Sequence, residues 1–143
     1  GRLMAYAALA DMMAKYGNAE LIAATTDLDT PLDTIDQGKV QAALDQASSR
    51  MDSYLRRRYL VPVANPPPVL TQYCCAVARY LLHSGGNSNP SDQMRADYKD
   101  AIAWLKDINN EHATLDGAIP ANTTETFSRI QMRAPSFYPG RMY

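Results

Sequence analysis

Apolar residues recur at helical spacing along the chain, most clearly in its first half. Steps of four and three residues place them on one face of a helix. The stripe consists of Val40, Leu44, Ala47, Met51, Tyr54 and Leu55. Asp33, Thr34 and Asp36 offer N-caps before it, and the run 56–58 closes it with three arginines that complement the C-terminal helix dipole. The pattern predicts a long amphipathic helix between these signals.

Two shorter helices are predicted ahead of it. The first covers about residues 8–16, with apolar residues on one face and Gly17 as its stop. The second starts from Asn18 as N-cap and runs to about Thr25. Residues 26–31 are rich in Asp, Thr and Pro, a composition typical of a loop.

A fourth helix is predicted from Pro68, a favourable first helical residue, to about His83. It is apolar nearly all round, so it should lie in the centre of the core or between subunits. The prolines before it predict an extended connection over residues 61–67, and the Gly- and Asn-rich run 85–90 ends it.

A fifth helix is predicted over about 91–110, capped by Ser91 or Asp92. Beyond it, the Asp116-Gly117 pair predicts a tight turn, which could close one very short β-hairpin. The fold class predicted from these patterns is mainly α, a small helical bundle of four to five helices with an extended C-terminal arm.

That arm, residues 122–143, differs in kind from the bundle. It contains prolines, no acid after Glu125, and aromatic residues interleaved with arginines. Extended segments of this type bind by laying side chains into pockets of a partner. The alternative is that the arm packs back on its own helices. The residues predicted to bind a partner are Phe127, Arg129, Ile130, Arg133, Phe137, Tyr138, Arg141 and Tyr143.

The domain organisation expected from the sequence is therefore a bundle over 4–121 followed by the arm. Residues 1–3 precede Met4 and read poorly as a native start, so we expect them to be a cloning remnant. No stretch is long and apolar enough to predict a membrane span.

The charge of the chain is −1 in total over 143 residues, which argues against a dedicated nucleic-acid binder. Along the chain it alternates: −4 over 1–36, +3 over 37–60, −3 over 61–126 and +3 over 127–143. Alternating blocks suit surfaces that meet other copies of the chain or several partners. Chance clustering is the simpler interpretation, and composition does not separate the two.

Residues with catalytic or metal-binding chemistry are sparse. His83 and His112 have no ligand pattern around them, and Cys74 and Cys75 are adjacent, which is poor geometry for a disulfide. A calcium loop counted from Asp27 fails at its fifth, sixth and twelfth positions. We therefore expect neither an enzyme nor a metal or cofactor site.

The arginine triplet 56–58 has three interpretations: dipole complementation, contact with a phosphate backbone, or salt bridges to the acidic N-terminal block of a neighbouring copy. A single triplet supplies few phosphate contacts, so structure or subunit contact is favoured. Flanking aromatic residues strengthen the interface interpretation. The predicted subunit-interface residues are Tyr54, Arg56, Arg57, Arg58, Tyr59, Asp27 and Asp29.

The order of motifs resembles the Mu-like phage head–tail connector family over essentially all of residues 4–143. The matching stretches are the opening 4–22 with its Glu-Leu-Ile helix, the long helix leading through the arginines into Tyr-Leu-Val-Pro-Val at 59–63, the helix 67–82 and the tripeptide Phe127-Ser128-Arg129. No residue-level binding set comes with this resemblance.

The resemblance implies a non-enzymatic virion protein, similar to the head-completion proteins of long-tailed phages. Such adaptors form rings of about a dozen copies beneath the portal, a closed cyclic assembly. They extend the DNA channel, meet the next connector or the tail protein, and often attach to the portal through their C-terminal tails. The implied location is the virion neck, with the host cytoplasm during assembly. DNA would only pass through the channel.

The alternative function is a DNA-binding helical module that uses Arg56–Arg58 and the basic arm.

Overall fold

A computed structural model describes residues 5–29, 31–85 and 89–121. Within these ranges the chain forms five helices joined by short loops, with a single isolated β-bridge between Tyr59 and Pro120. The helices are α1 (Leu9–Tyr16), α2 (Asn18–Thr25), α3 (Gln37–Leu55), α4 (Pro68–His83) and α5 (Asp92–Asn109). The predicted class, a mainly α small helical bundle, is confirmed.

The starts of α3 and α5 follow the capping signals of the sequence, whereas the N-cap of α2 is Gly17 and not the predicted Asn18, which is its first helical residue. The Asp36 carboxylate accepts a hydrogen bond from the Lys39 backbone N–H at 3.2 Å and begins α3. Of the two predicted caps of α5, Ser91 and Asp92, the structure has Ser91 at the N-cap. Its hydroxyl accepts a hydrogen bond from the Met94 N–H at 3.2 Å. Each side chain satisfies one of the backbone donors that a helix N-terminus leaves without a partner.

The centre of the bundle is α4, which packs against each of the other four helices. The predicted central position is confirmed. Its fully or nearly fully buried residues are Leu70, Cys74, Cys75, Ala76, Val77, Ala78 and His83. Two aromatic stacks join α4 to α5, Tyr73 on Trp104 with ring centroids 4.8 Å apart and Tyr80 on Tyr98 at 4.2 Å. These contacts bury the nearly all-apolar helix without a partner chain.

Tyr6 ties the N-terminal segment to the bundle. Its ring is 2% exposed, and its backbone N–H donates to the Ser48 hydroxyl at 3.0 Å. Its own hydroxyl donates to the Asp52 carboxylate and accepts from the Val63 backbone N–H at 3.0 Å. One side chain thus joins the chain start, α3 and the proline-rich connection. The connection over 61–67 bends twice instead of running straight, because Val63 is drawn into the core.

Replacement of Tyr6 by Phe should therefore destabilise the bundle by about 1–3 kcal/mol, the usual cost of leaving buried polar groups without a partner. Urea unfolding followed by circular dichroism measures the effect. The matched control is Tyr73→Phe, which keeps the ring that stacks on Trp104. Equal stabilities of the two variants would contradict the role assigned to the Tyr6 hydroxyl.

Residues 111–121 form the predicted tight turn but no local hairpin. Gly117 lies in the left-handed region at φ +80°, as the Asp-Gly turn requires. The segment then pairs with the chain just after α3: the Leu60 N–H donates to the Ile119 carbonyl at 2.8 Å and the Ala121 N–H to the Arg58 carbonyl at 2.9 Å. The hairpin expectation was wrong because the partner strand is remote in sequence.

Candidate functional site

The three arginines after α3 have different surroundings. Arg56 and Arg57 are exposed, whereas Arg58 is half-buried. The Arg58 guanidinium donates to the carbonyls of Ile108 at 2.8 Å and Ala113 at 2.7 Å. It therefore binds one carbonyl in the last turn of α5, where a helix favours a cation, and one carbonyl in the segment that follows. Only the first two arginines remain available to a partner.

Arg58→Ala should lower the free energy of unfolding by about 2 kcal/mol, because two hydrogen bonds from a charged donor are lost. Arg57→Ala is the matched control. Because the Arg57 side chain is exposed, its loss should change the free energy of unfolding by no more than about 0.5 kcal/mol. Thermal unfolding of both variants against the wild type gives the comparison. If Arg57→Ala proved the more destabilising, the internal role of Arg58 would be wrong.

The two tyrosines beside the triplet face the interior to different degrees. Tyr54 is half-buried against the core, and Tyr59 is only 7% exposed. The Tyr59 hydroxyl accepts from the Leu115 N–H at 3.0 Å, and the Arg58 guanidinium lies 5.3 Å from the Tyr59 ring centroid. These contacts fasten residues 111–121 to the end of α3. A subunit-interface role for Tyr54 and Tyr59 stays a prediction.

Next to the arginines, the pairing of residues 58–60 with 119–121 presents apolar surface. Leu60 and Ile119 are each 50% exposed. They border a groove whose lining also includes Pro62 and Gly117. We call Arg56, Arg57, Leu60 and Ile119 the α3 C-terminal patch. It combines exposed cations with exposed aliphatic side chains.

At the other end of α3 lies an acidic loop with two leucines in solvent. Leu28 is 100% exposed and Leu32 is 86% exposed. We call residues 27–29 and 31–33 the acidic leucine loop; it contains Asp27, Leu28, Asp29, Leu32 and Asp33. It includes the two acids that the sequence analysis placed at a subunit interface.

Asp27 in this loop is already engaged within the chain. Its carboxylate lies 3.1 Å from the Lys39 ammonium, and it also accepts from the Leu28 backbone N–H. Hydrogen bonding by Lys39 and by that N–H lowers the pKa of the Asp27 carboxyl. The loop is thereby anchored to the first turn of α3. Asp29, two residues on, lies exposed in the turn.

A half-buried polar cluster, missed by the sequence analysis, links α1, α2, α4 and α5. The Arg79 guanidinium donates to both oxygens of Glu20, each at 2.8 Å, and lies 4.2 Å from the Tyr16 ring centroid. The His83 Nε2 lies 3.4 Å from the same carboxylate, and Asp97 lies 3.9 Å from Arg79. His83 is therefore part of a structural network. The signal in the sequence was Arg79 itself, a charged residue on a helix otherwise almost entirely apolar.

The ionisation of Glu20 couples this cluster to pH. Burial alone would raise the pKa of the Glu20 carboxyl, but hydrogen bonds and charge from Arg79, with a further contribution from His83, hold it below its usual value. A carboxyl with a lowered pKa stabilises the fold above its unfolded pKa, about 4.3, and loses that contribution as pH falls further.

The stability difference between wild type and Glu20→Gln should therefore be largest near neutral pH, shrink as pH falls below about 4.3, and disappear once pH has fallen through the lowered pKa of the native carboxyl. Chemical unfolding at a series of pH values measures this difference. Asp100→Asn, an exposed carboxylate on α5, is the control. A difference that is independent of pH would contradict the ionic role of Glu20.

The cysteines sit in the core with little reactivity. Cys74 is fully buried with its Sγ 3.4 Å from the Ser48 hydroxyl. Burial raises the pKa of the Cys75 thiol to about 12, and only the thiolate is a strong nucleophile. Among residues 5–29, 31–85 and 89–121, no three His, Cys, Asp or Glu side chains group as metal ligands. None of the five helices is long and apolar enough to cross a membrane.

The model of one protein family, "Bacteriophage Mu, Gp36", matches residues 6–134, nearly the whole chain. The chain belongs to the bacteriophage Mu Gp36 family. The Mu-like prophage FluMu protein gp36 of Haemophilus influenzae is 35% identical over 108 residues, 76% of this chain and 74% of that protein. Gene product J of Escherichia phage Mu is 32% identical over 105 residues, 73% of this chain and 72% of that protein.

Membership of the Gp36 family makes this a protein of Mu-like phages, and favours a structural role over an enzymatic one. The family match continues past the bundle into the predicted arm, as far as residue 134. All eight arm residues predicted to bind a partner lie outside the described residues. Four of them, Phe127, Arg129, Ile130 and Arg133, fall within the family match; Phe137, Tyr138, Arg141 and Tyr143 lie beyond it.

Proposed function

We propose that this Gp36-family protein is a head–tail connector, a structural virion protein that forms a ring beneath the portal, extends the DNA channel and joins head to tail. The observation that carries the proposal is the family match over residues 6–134, with relatives encoded by phage Mu and by a Mu-like prophage. A small helical bundle over this length is what the connector resemblance implies.

The distribution of exposed groups supports a role in protein–protein contact. The acidic leucine loop and the α3 C-terminal patch both present aliphatic side chains beside charges, a combination typical of interface anchors surrounded by a polar rim. The titratable cluster around Arg79 is paired internally, so it has a structural explanation. A total charge of −1 also suits a channel through which DNA must slide.

The proposed partners are other copies of the chain in a ring of about a dozen, the portal protein, and the next connector or tail protein. The basic, aromatic arm attaches each copy to the portal. Many weak tethers acting together then give the ring a strong attachment. The protein resides in the virion neck and, during assembly, in the host cytoplasm.

Deleting the gene from a Mu-like phage tests the proposal. Induced cells should accumulate DNA-filled heads and separate tails, and full-length protein supplied in trans should restore joined particles. Electron microscopy of lysates distinguishes the products, and antibody labelling of virions should mark the neck. Normally tailed particles from the deletion, or heads that fail to package DNA, would contradict a connector role.

The DNA-binding alternative has less support, because Arg58 is directed towards α5 carbonyls and leaves two exposed arginines in the triplet. A salt titration of duplex DNA binding by the full chain separates the two functions. Contact with several phosphates predicts affinity that falls steeply with salt, by about 0.9 log units per log unit of salt for each phosphate. The connector proposal predicts weak binding throughout.

A further inference from the structure

We propose that the acidic leucine loop of one copy docks on the α3 C-terminal patch of the next copy, and that repetition of this contact builds the ring. This inference rests on the proposed function and specifies its subunit interface. The partner is a second copy of the same chain.

The exposed aliphatic side chains occur in two groups. Among the described residues, the large hydrophobic side chains that are half or more exposed are Leu28, Leu32, Leu60 and Ile119. The first two lie in the acidic leucine loop and the other two in the α3 C-terminal patch. Leu60 and Ile119 are neighbours, since the Leu60 N–H donates to the Ile119 carbonyl. Each surface therefore has one pair of exposed aliphatic side chains that a contact between copies could bury.

The charges around the two pairs are complementary. Residues 26–36 contain four aspartates and no base; Lys39 of α3 pairs with one of them, Asp27, which leaves the loop acidic. The patch has Arg56 and Arg57 in solvent. Glu111 and Asp116 lie on the segment that pairs with the end of α3, so that end carries two acids against three arginines. The net charge of these five residues is +1 with the half-buried Arg58 counted, and Arg56 and Arg57 are its exposed cations. Opposite potentials favour this pairing of surfaces over others.

The two surfaces lie at opposite ends of one rigid element. The loop precedes α3 and the patch follows it, and α3 has 19 residues. At a rise of about 1.5 Å per residue the helix separates them by about 27 Å. They are too far apart for direct contact within one chain, so their complementarity can be used only between copies.

A contact between two different surfaces of identical chains is heterologous, and it closes into a ring when the rotation between copies permits. The self-complementary alternatives are unfavourable here. Loop against loop would bring two acidic segments together, and patch against patch would bring two arginine pairs together. Like charges at an interface suppress such pairings. The head-to-tail arrangement is the one that the charge distribution favours.

Cysteine cross-linking of the full chain tests the interface, since both native cysteines are buried and should not react. The test variant is Leu28→Cys/Ile119→Cys, oxidised first as concentrated free protein and then after binding to portal rings of the same phage. We expect a ladder of covalent oligomers extending beyond the dimer. Each single variant should remain monomeric, and mixing the two single variants should give only heterodimers.

The matched control is Leu28→Cys/Ala103→Cys, which moves the second thiol to an exposed position on α5. It should give no ladder. A ladder from the control equal to that of the test variant, or a 28–28 dimer as the main product, would overturn the head-to-tail interface.

The two proposals fail in different ways in this experiment. Binding to portal rings without a ladder would overturn this interface and leave the connector function standing. A ladder in free protein without any binding to portal rings would support the interface and contradict the connector function. Neither a ladder nor portal binding would contradict both.

Discussion

A chain that ends at Asn122 is expected to keep its helical fold and to bind portal rings about 10²-fold more weakly, or not at all. The fold should survive because every core side chain identified in the structure lies between residues 6 and 115. Binding should fail because the deleted segment contains Phe127, Phe137 and three arginines against a single acid, Glu125. Loss of one tether from each copy in a ring removes the avidity of the whole assembly, which can reach about 10²–10⁴-fold.

Co-sedimentation of wild-type and shortened protein with purified portal rings measures the effect, and thermal unfolding checks that the shortened chain is folded. Two full-length variants refine the test. Phe127→Ala/Phe137→Ala should weaken binding, whereas Ser128→Ala/Ser136→Ala should not. Undiminished binding by a folded shortened chain would show that the bundle, and not the arm, contacts the portal.

The helices could be predicted from sequence because their signals are local. The spacing of apolar residues predicted all five helices. Asp36 as an N-cap and Pro68 as a first helical residue predicted the starts of α3 and α4. A cap and the donor that it satisfies are three residues apart, so their relation is visible in the sequence itself. The central place of α4 followed from its near absence of polar positions.

Contacts between distant parts of the chain could not be predicted in this way. Glu20 and Arg79 are 59 residues apart, and the Tyr6 hydroxyl meets an N–H 57 residues later. A charged residue in isolation can equally be a solvated side chain or half of a buried pair. The expected hairpin at Asp116-Gly117 failed for the same reason, since the strand partner was Tyr59.

For the candidate interface, sequence supplied the charges and the structure supplied the geometry. In the sequence, the three arginines of the triplet 56–58 cannot be told apart. The structure distinguishes Arg58, because its guanidinium donates a hydrogen bond to the Ile108 carbonyl of α5. Likewise, leucines in a loop are unremarkable in a sequence until their exposure is known. That exposure, at Leu28 and Leu32, is what makes the acidic loop a candidate surface.

Arg79→Ala is expected to destabilise the bundle by about 3 kcal/mol, the lower end of the range for breaking a buried ion pair, because both partners keep about a fifth of their side-chain surface exposed. The variant leaves the Glu20 carboxylate without its two guanidinium hydrogen bonds in a partly desolvated position. It also removes the cation that lies over the Tyr16 ring. Because Arg79 of α4 contacts side chains of α1, α2 and α5, the substitution removes contacts between four helices.

Urea unfolding of Arg79→Ala, Glu20→Gln and the double variant measures both the loss and its coupling. Arg95→Ala is the matched control, because that arginine pairs with Asp92 at 3.7 Å on the surface of α5 and should matter by about 0.5 kcal/mol or less. If the loss arises from the pair, the double variant should be less destabilised than the sum of the two single variants. Strictly additive losses would mean that packing of the arginine stem, and not the ion pair, holds these helices together. An Arg79→Ala loss no larger than that of Arg95→Ala would mean that Arg79 does not hold them together at all.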